Sequence, residues 1–204
     1  MTQRPPDTIE AQLQQLLLTR SFSEATTLGI EAYGPSILGM LVGALGDEDA
    51  AEDVYAVWCE DVWNGIDGFE GRSRFSTWAY RVAYNALSRY HRTPWQRHRL
   101  SLRTGDDHQR RLLEERIHVT TAAWRKTTVK DAFQSLRKQL TPTENTLIIL
   151  RIDRGLSWRE IAQIMIEADD PSAARLQREA NRLAQVFHRT KQKLHDLARD
   201  AGLL

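Results

Sequence analysis

Apolar residues recur along most of the chain at intervals of three and four, which is the spacing of one helix face. Glycine and proline concentrate between these segments, and no run of β-branched residues alternates as a half-buried strand does. The pattern therefore predicts an all-α protein. The predicted helices are 7–19, 22–45, 48–64, 75–92, 128–139, 143–154, 157–166 and 171–199.

The segments between these helices predict two domains. The second predicted helix contains Gly34 and Pro35, which leaves an interruption open there. The sequence "NGIDGFEGRS" predicts a loop between the third and fourth helices. A polar stretch with little periodicity then predicts a linker. The predicted organisation is an N-terminal extension helix at 1–20, a helical domain at 21–93, a linker at 94–126 and a second helical domain at 127–204.

The second half of the chain predicts a helix-turn-helix. Gly155 is placed to end one helix, and Ser157–Glu160 has the spacing of a capping box for the next. Ala162 is small enough for a close helix crossing, as in helical pairs that read DNA. The other predicted helix starts are Thr141–Glu144 and Asp170–Pro171.

The last predicted helix has an apolar side and a basic side. The apolar stripe consists of Leu176, Ala180, Leu183, Phe187, Thr190, Leu194 and Leu197. At about 100° per residue, the opposite side carries Arg175, Arg178, Arg182, Gln185 and Arg189. Because this row follows the helical pair, it fits contact with phosphates or guanines, and the alternative is a solvated face.

The net charge of +1 hides a segregation of charges. Residues 46–70 contain nine acidic residues and no Lys or Arg, whereas residues 71–103 contain eight arginines and no acid. Aromatic residues are interleaved with these arginines. The pattern predicts two adjacent surfaces for two partners, and the alternative is that the two faces attract each other within the fold.

The sequence carries no signature of catalysis or of cofactor binding. It has no Gly-Lys-Ser phosphate loop, no Gly-x-Gly-x-x-Gly and no Gly-x-Ser-x-Gly. One cysteine and six histidines without ligand spacing predict no metal site. The start of the chain lacks the pattern of a signal peptide, and no apolar run of membrane length is expected, so the predicted location is the cytoplasm.

Two motifs resemble a known family. "AEDVYAVWCEDVW" followed by "FEGRSRFSTWAYRVAYNAL" is similar to the second conserved region of bacterial sigma factors, in the extracytoplasmic-function (ECF) group of the sigma-70 family. "LTPTENTLIILRIDRGLSWREIAQIM" is similar to the fourth region of the same family. The resemblance covers roughly 22–92 and 128–197, in the order found in the family.

The resemblance implies a protein that binds core RNA polymerase, through the β′ clamp and the β flap, and promoter DNA, both duplex and melted. It also implies an anti-sigma partner. The polymerase-binding residues would be Asp49, Glu52, Asp53, Glu60 and Trp63. The −10 element would be bound by Arg72, Arg74, Trp78, Tyr80, Arg81, Tyr84, Asn85 and Arg92. The −35 element would be bound by Ser157, Arg159, Arg175, Arg178, Arg182 and Arg189.

The melted element requires aromatic rings for stacking and cations for the backbone. Tyr80 and Tyr84 are expected to lie away from the apolar side of their helix, and loop 64–74 is expected to form a pocket for a flipped base. The apolar side is expected to consist of Phe75, Trp78, Val82 and Ala86.

The sequence departs from the family in several places. The family usually has Gln at the position of Ala56, an aromatic residue at that of Cys59 and an acid at that of Arg89. About a dozen extra residues, within 166–180, precede the recognition helix. Either this helix is extended at its N-terminus, or an inserted turn displaces it.

The sequence is also compatible with three other functions. A stand-alone helix-turn-helix regulator accounts for the C-terminal half, but it leaves the acidic segment without a partner. A helical adaptor that binds only protein, such as a sigma-sequestering factor, does not need arginines interleaved with aromatic residues. A helical enzyme is the most distant alternative, because the site chemistry is missing.

Overall fold

The computed structural model describes residues 7–92, 135–166 and 171–203. The chain divides into two compact units, and the division falls between Trp124 and Arg125. The described residues form helices and no strand, which confirms the predicted all-α class. The predicted linker at 94–126 lies outside the described residues, as does most of the predicted helix 128–139, of which 135–137 is helical.

Among the described residues, the N-terminal unit contains four α-helices. They are α1 (Asp7–Leu18), α2 (Phe22–Leu45), α3 (Glu48–Gly65) and α4 (Phe75–Arg92), and a 3-10 turn (Ile66–Gly68) follows α3. Their bounds agree with the predicted helices to within about a residue. Helix α2 packs against α1, α3 and α4, while α3 and α4 also pack against each other. The largest side chains buried there are Trp58, Tyr33, Phe75, Leu13, Ile37, Met40, Leu41 and Leu87.

Helix α2 continues through Pro35 without a break. Proline inside a helix removes one hydrogen-bond donor and costs about 3 kcal/mol. Burial of Tyr33, Ile37 and Leu38 around the proline offsets this cost, because each apolar side chain buried contributes about 1.5–3 kcal/mol.

The prediction that no apolar run has membrane length is wrong for α2. Its 24 residues include only two charged ones, Glu24 and Glu31, and the helix is long and apolar enough to cross a membrane. However, ten of its residues are buried among the neighbouring helices. Burial in a protein core accounts for the same composition, because a helix packed on several sides is apolar around most of its circumference.

Besides the helical residues 135–137, the described part of the C-terminal unit contains three α-helices. They are α5 (Pro142–Ile148), α6 (Trp158–Met165) and α7 (Ala173–Asp200), and a π-helical turn (Ile149–Asp153) extends α5. Helix α7 packs against both α5 and α6. The core between them contains Leu147, Ile148, Ile149, Leu150, Ile161, Ala162, Ile164 and Leu183.

Local side chains start these helices as predicted in two of three cases. Thr141 with Glu144 and Ser157 with Glu160 each form a complete capping box. The prediction of a start at Asp170–Pro171 is wrong, because Ser172 caps α7 and accepts a hydrogen bond from the N–H of Arg175 at 3.3 Å. Pro171 therefore precedes the cap instead of lying in the first turn.

The end of the α5 segment differs from a regular α-helix. The N–H of Arg154 donates to the carbonyl of Ile149, five residues earlier, at 3.0 Å. Gly155 then ends the segment at φ +66°, a left-handed conformation that glycine adopts without steric cost. The Arg151 guanidinium donates to the carbonyl of Leu156 at 2.7 Å, which holds the wide turn in place.

Candidate functional site

Four of the acidic residues of α3, together with Trp63, form one row on the outward side of the helix. Asp49, Glu52 and Trp63 are exposed, whereas Asp53 and Glu60 are partly buried. At about 100° per residue, these five positions fall within about a third of the circumference of the helix. The opposite face is buried and contains Ala51, Val54, Tyr55, Trp58, Cys59 and Val62. The five residues predicted to bind the polymerase therefore share one face, which we call the acidic row.

The carboxylates of the acidic row repel one another. Burial raises the pKa of Asp53, and the neighbouring charges of Asp49 and Asp47 raise it further. A cation placed against this face would relieve the repulsion. Trp63 lies at the C-terminal end of the row with half of its surface exposed, which adds an apolar contact to an otherwise anionic surface.

The outward side of α4 is polar and basic. Counted along the helix, Trp78, Arg81, Asn85 and Arg92 are separated by three, four and seven residues, so they lie on one face. Asn85 and Arg92 are exposed, and Trp78 and Arg81 are partly exposed. We call these four residues the basic row. Tyr84 lies at the edge of the row and is half-buried.

The prediction that Tyr80 lies on the exposed side of α4 is wrong. Its side chain is buried, with 5% of its surface exposed. The buried side of α4 consists of Phe75, Ser76, Thr77, Ala79, Tyr80, Ala83, Ala86 and Leu87. Three alanines let the neighbouring helices approach closely, so the core covers Tyr80, while Trp78 and Val82, expected on the apolar side, are only half-buried.

The loop before α4 is held by aromatic rings and ion pairs. Phe69 packs against Phe75 and Trp78, with ring centroids 5.7 Å and 5.2 Å apart. Arg72 forms an ion pair with Glu70. Arg74, at the start of α4, has its Nε 3.8 Å from Oε1 of Glu10. Two of the arginines predicted to bind the −10 element thus lie just before the first turn of α4.

Some of the segregated charges do attract each other within the fold. Arg89 of α4 forms an ion pair with Asp61 of α3. The indole of Trp58 joins the same two helices, since its N–H donates to the carbonyl of Ala79 at 3.0 Å. The interpretation of mutual attraction is therefore confirmed for Asp61 and Arg89, which belong to neither row, and the interpretation as surfaces for two partners stays a prediction.

Sequence reasoning missed Glu10, a buried carboxylate of α1. It accepts hydrogen bonds from the N–H groups of Phe75 and Ser76 at 2.9 Å and 3.0 Å, and from the Tyr33 hydroxyl at 2.6 Å. Burial would raise the pKa of Glu10, but the bonds from Tyr33, Ser76 and Phe75 outweigh it and lower the pKa below its ordinary value of 4.5. The sequence gave no signal for this contact, because its partners are backbone groups 65 and 66 residues away.

In the C-terminal unit, all four arginines of the predicted row on α7 are exposed. The helix is continuous from 173 to 200, so residues 173–180 extend it at its N-terminus, as one of the two alternatives predicts. Seven residues, 166–172, separate it from α6, and a helix-turn-helix usually has a turn of three or four. The four residues are Arg175, Arg178, Arg182 and Arg189.

The apolar stripe of α7 is buried at Leu176, Ala180, Leu183 and Thr190. The other three members of the predicted stripe, Phe187, Leu194 and Leu197, are half-buried.

Two of the residues predicted to bind the −35 element also have structural partners. The Ser157 hydroxyl accepts from the N–H of Glu160 at 3.3 Å and donates to its carboxylate at 2.7 Å, so it is occupied as the cap of α6. Arg182 forms a hydrogen-bonded ion pair with Glu179, and the hydrogen bond lowers the pKa of Glu179. Arg159 is exposed in the first turn of α6.

A stacked group of side chains joins α6 to α7. Trp158 meets Phe187 edge to face at 5.3 Å, and the Arg151 guanidinium lies 4.8 Å from the centre of the Trp158 ring. Lys193 of α7 also lies 3.3 Å from the carboxylate of Glu144. These contacts fix α7 against the helices before it. Within the described ranges, no three His, Cys, Asp or Glu side chains are grouped to hold a metal ion.

Two comparisons connect these surfaces with known proteins. The family model described as sigma-70 region 2 matches residues 30–97. A protein of Pseudomonas aeruginosa called RNA polymerase sigma-H factor is 28% identical over 165 residues, covering 76% of this chain and 83% of that protein. Together the two matches support a sigma factor of the sigma-70 family.

The region that the family model matches contains both rows. It begins within α2 and includes all of α3 and α4. Helix α1, with Glu10, lies before the matched residues. The C-terminal unit lies after them, so its assignment to the fourth conserved region rests on the resemblance of its motif.

Proposed function

We propose that this sigma factor belongs to the ECF group and acts in the cytoplasm as a specificity subunit of RNA polymerase. It would direct core polymerase to a set of promoters and help to open them, without a reaction of its own. The observation that carries the proposal is the pair of rows on α3 and α4 within the region-2 match.

The acidic row is proposed to bind the β′ clamp of the polymerase. Exposed carboxylates provide steering and register toward a basic partner, and the mutual repulsion at Asp53 favours a cation at this face. Trp63 supplies the aromatic anchor that such interfaces typically contain. A second partner, an anti-sigma factor, is proposed to act by covering the polymerase-binding surface.

The basic row is proposed to bind the −10 element as it melts. Arg81 and Arg92 of the row, with Arg72 and Arg74 of the preceding loop, supply cations for the separated strand. Trp78 and Asn85 of the row, with Tyr84 at its edge, offer rings and an amide to the bases. Because Tyr80 is buried, its proposed contribution is to the packing of α4. A flipped base is proposed to lie against loop 64–74, next to the Phe69 and Trp78 rings.

The C-terminal unit is proposed to contact the −35 element as duplex and the β flap. Arg159 and the four arginines of α7 are placed to reach phosphates or guanines. Ser157 contributes by capping α6, which fixes the start of the first DNA-facing helix. The extension of α7 carries Arg175 and Arg178, so we expect a longer contact with the duplex than a shorter recognition helix makes.

Paired variants test the assignment of the two rows. Asp49→Lys with Glu52→Lys should abolish binding to core polymerase, because the steering charge is reversed on exposed positions. Arg81→Ala with Arg92→Ala should leave polymerase binding intact and reduce promoter opening, measured by permanganate reactivity. Glu31→Lys, at an exposed position of α2, is the matched control for charge reversal.

Two outcomes would contradict the proposal. In the first, the acidic-row variant binds core polymerase as well as the control does. In the second, the free protein binds promoter duplex tightly without polymerase, which would favour a stand-alone helix-turn-helix regulator.

A further inference from the structure

Helix α4 receives the cap of its first turn from another helix. The first N–H groups of a helix have no partner within it and require an acceptor. The residue before Phe75 is Arg74, whose guanidinium contains donors only and accepts no hydrogen bond. Glu10 of α1 supplies the acceptors instead, with Oε2 on the N–H of Phe75 and Oε1 on that of Ser76.

This contact is buried and specific. Glu10 is 6% exposed, and each of its oxygens has at least one donor within 3.0 Å. A carboxylate at a helix N-terminus also gains from the helix dipole, and in a buried position this gain is larger than at the surface. Together these hydrogen bonds hold the pKa of Glu10 below its usual value, which means that the fold favours the charged form of the carboxyl group.

The capped turn is where loop 69–74 joins α4. The ring of Phe75 packs between Tyr33 and Phe69 and contacts Trp78 at 5.3 Å. The backbone of Phe75, which Glu10 holds, therefore determines where the Phe69 and Trp78 rings lie. These are the rings assigned to the melted strand, and Arg74 directly precedes Phe75 in the chain.

We propose that Glu10 is a positioning residue for promoter opening. It sets the first turn of α4 and the loop before it, so that the rings and arginines of this region lie where the separated strand passes. The inference rests on the proposed function of the basic row, and it assigns a role to α1, which lies outside the matched family region.

The test is Glu10→Gln in the full chain assembled with core polymerase. The amide keeps the size of the side chain but presents a donor to the backbone N–H groups, so it loses at least one bond of the cap. Polymerase affinity should stay within about twofold of wild type, because the acidic row is untouched. The fraction of open promoter complexes should fall by about tenfold, the effect expected from losing a cap at this turn.

Two controls separate positioning from stability and charge. Glu31→Gln removes an equal charge from an exposed site and should open promoters as the wild type does. Val62→Ala destabilises the same unit from the buried side of α3 and should also preserve opening at a temperature at which the protein stays folded.

Normal opening by Glu10→Gln would overturn the inference. So would a loss of opening in Val62→Ala equal to that in Glu10→Gln, because stability alone would then explain both. If wild-type protein itself neither binds polymerase nor opens a promoter, the proposed function fails, and this outcome is distinct from failure of the inference.

Discussion

Arg20 ends α1 in a conformation that usually belongs to glycine. Its φ is +56°, and within the described ranges Arg20 is the non-glycine residue with a positive φ. The N–H of Ser21 bonds to the carbonyl of Leu16 at 2.8 Å, and that of Arg20 to Leu17 at 3.1 Å. This is the Schellman arrangement, in which glycine normally occupies the left-handed position.

Arg20→Gly is therefore expected to stabilise the N-terminal unit. The left-handed conformation costs about 1–2 kcal/mol with a side chain, and the extra freedom of glycine in the unfolded chain costs about 0.5–1 kcal/mol. The expected net gain is about 0.5–1 kcal/mol in the free energy of unfolding, measured by urea denaturation. Arg20→Ala, which keeps the strain, should show no gain, and an equal gain in both variants would contradict this explanation.

Glu10 also predicts a pH dependence of stability. Its pKa is lowered in the folded protein, because the bonds from Tyr33, Ser76 and Phe75 outweigh the effect of burial. A lowered folded pKa contributes stability above the unfolded value of 4.5, and this contribution is lost as the pH falls through the folded pKa.

The measurement is the difference in unfolding free energy between wild type and Glu10→Gln from pH 7 down to about pH 3. The difference should be constant above pH 5 and should shrink below the ordinary pKa of glutamate. Glu31→Gln, at an exposed site, provides the baseline. A difference that does not change with pH would show that the charge of Glu10 contributes nothing to the fold.

At the scale of elements, a glycine in α2 lets α4 approach. A Cβ placed on Gly29 would lie 2.5 Å from two carbons of the Phe75 ring. That ring is 2% exposed and is enclosed by other aromatic residues, so it has little room to move.

Gly29→Ala is expected to destabilise the unit, even though alanine is the better helix former by about 1 kcal/mol. Overpacking of a core costs about 1–3 kcal/mol, and here it displaces the first residue of α4. Thermal unfolding followed by circular dichroism measures the effect. Gly65→Ala is the control, because its Cβ meets Trp78 at an ordinary 3.6 Å. Equal melting temperatures for the two variants would contradict the packing argument.

The extended helix α7 makes a prediction about duplex DNA. Arg178 is exposed on its N-terminal extension, whereas Arg199 is exposed near its C-terminal end and lies within 4 Å of Asp196 and Asp200. If the extension follows the duplex, Arg178→Ala should weaken promoter binding by the holoenzyme. The slope of the logarithm of the binding constant against the logarithm of the salt concentration should become less steep by about one. Arg199→Ala should leave both unchanged. An unchanged slope in Arg178→Ala would show that the extension does not contact the DNA.

The helices were predictable because their signals are local. Ser157 and Thr141 cap their helices with a glutamate three residues away, and Gly155 ends its segment by its own conformation. The side of α4 that faces the core was not predictable in full. Its buried face consists partly of alanines, which carry little hydrophobic signal, so Tyr80 was assigned to the wrong side.

The positions of the candidate site residues were also predictable only where the signal is local. The acidic row and most of the basic row follow from helical spacing, and the structure places each on one face. Glu10 could not be found in this way, because its role depends on which helix end it meets after folding. The Asp61–Arg89 pair shows the same limit, since only tertiary packing decides which opposite charges meet.

On the scale of the whole molecule, each unit carries its own surface. The N-terminal unit presents an acidic row and a basic row on neighbouring helices, and the C-terminal unit presents arginines along its longest helix. A net charge of +1 with such separated faces suits a protein that binds both a basic protein surface and a nucleic acid.

The central claim is that the chain confers promoter specificity on RNA polymerase. The most direct test is run-off transcription by purified core enzyme from the same bacterium, on genomic fragments, with and without the purified chain. The claim predicts discrete transcripts that depend on the chain and disappear with Asp49→Lys and Glu52→Lys. Failure of the chain to bind core enzyme at low ionic strength, with no transcript above background, would contradict it.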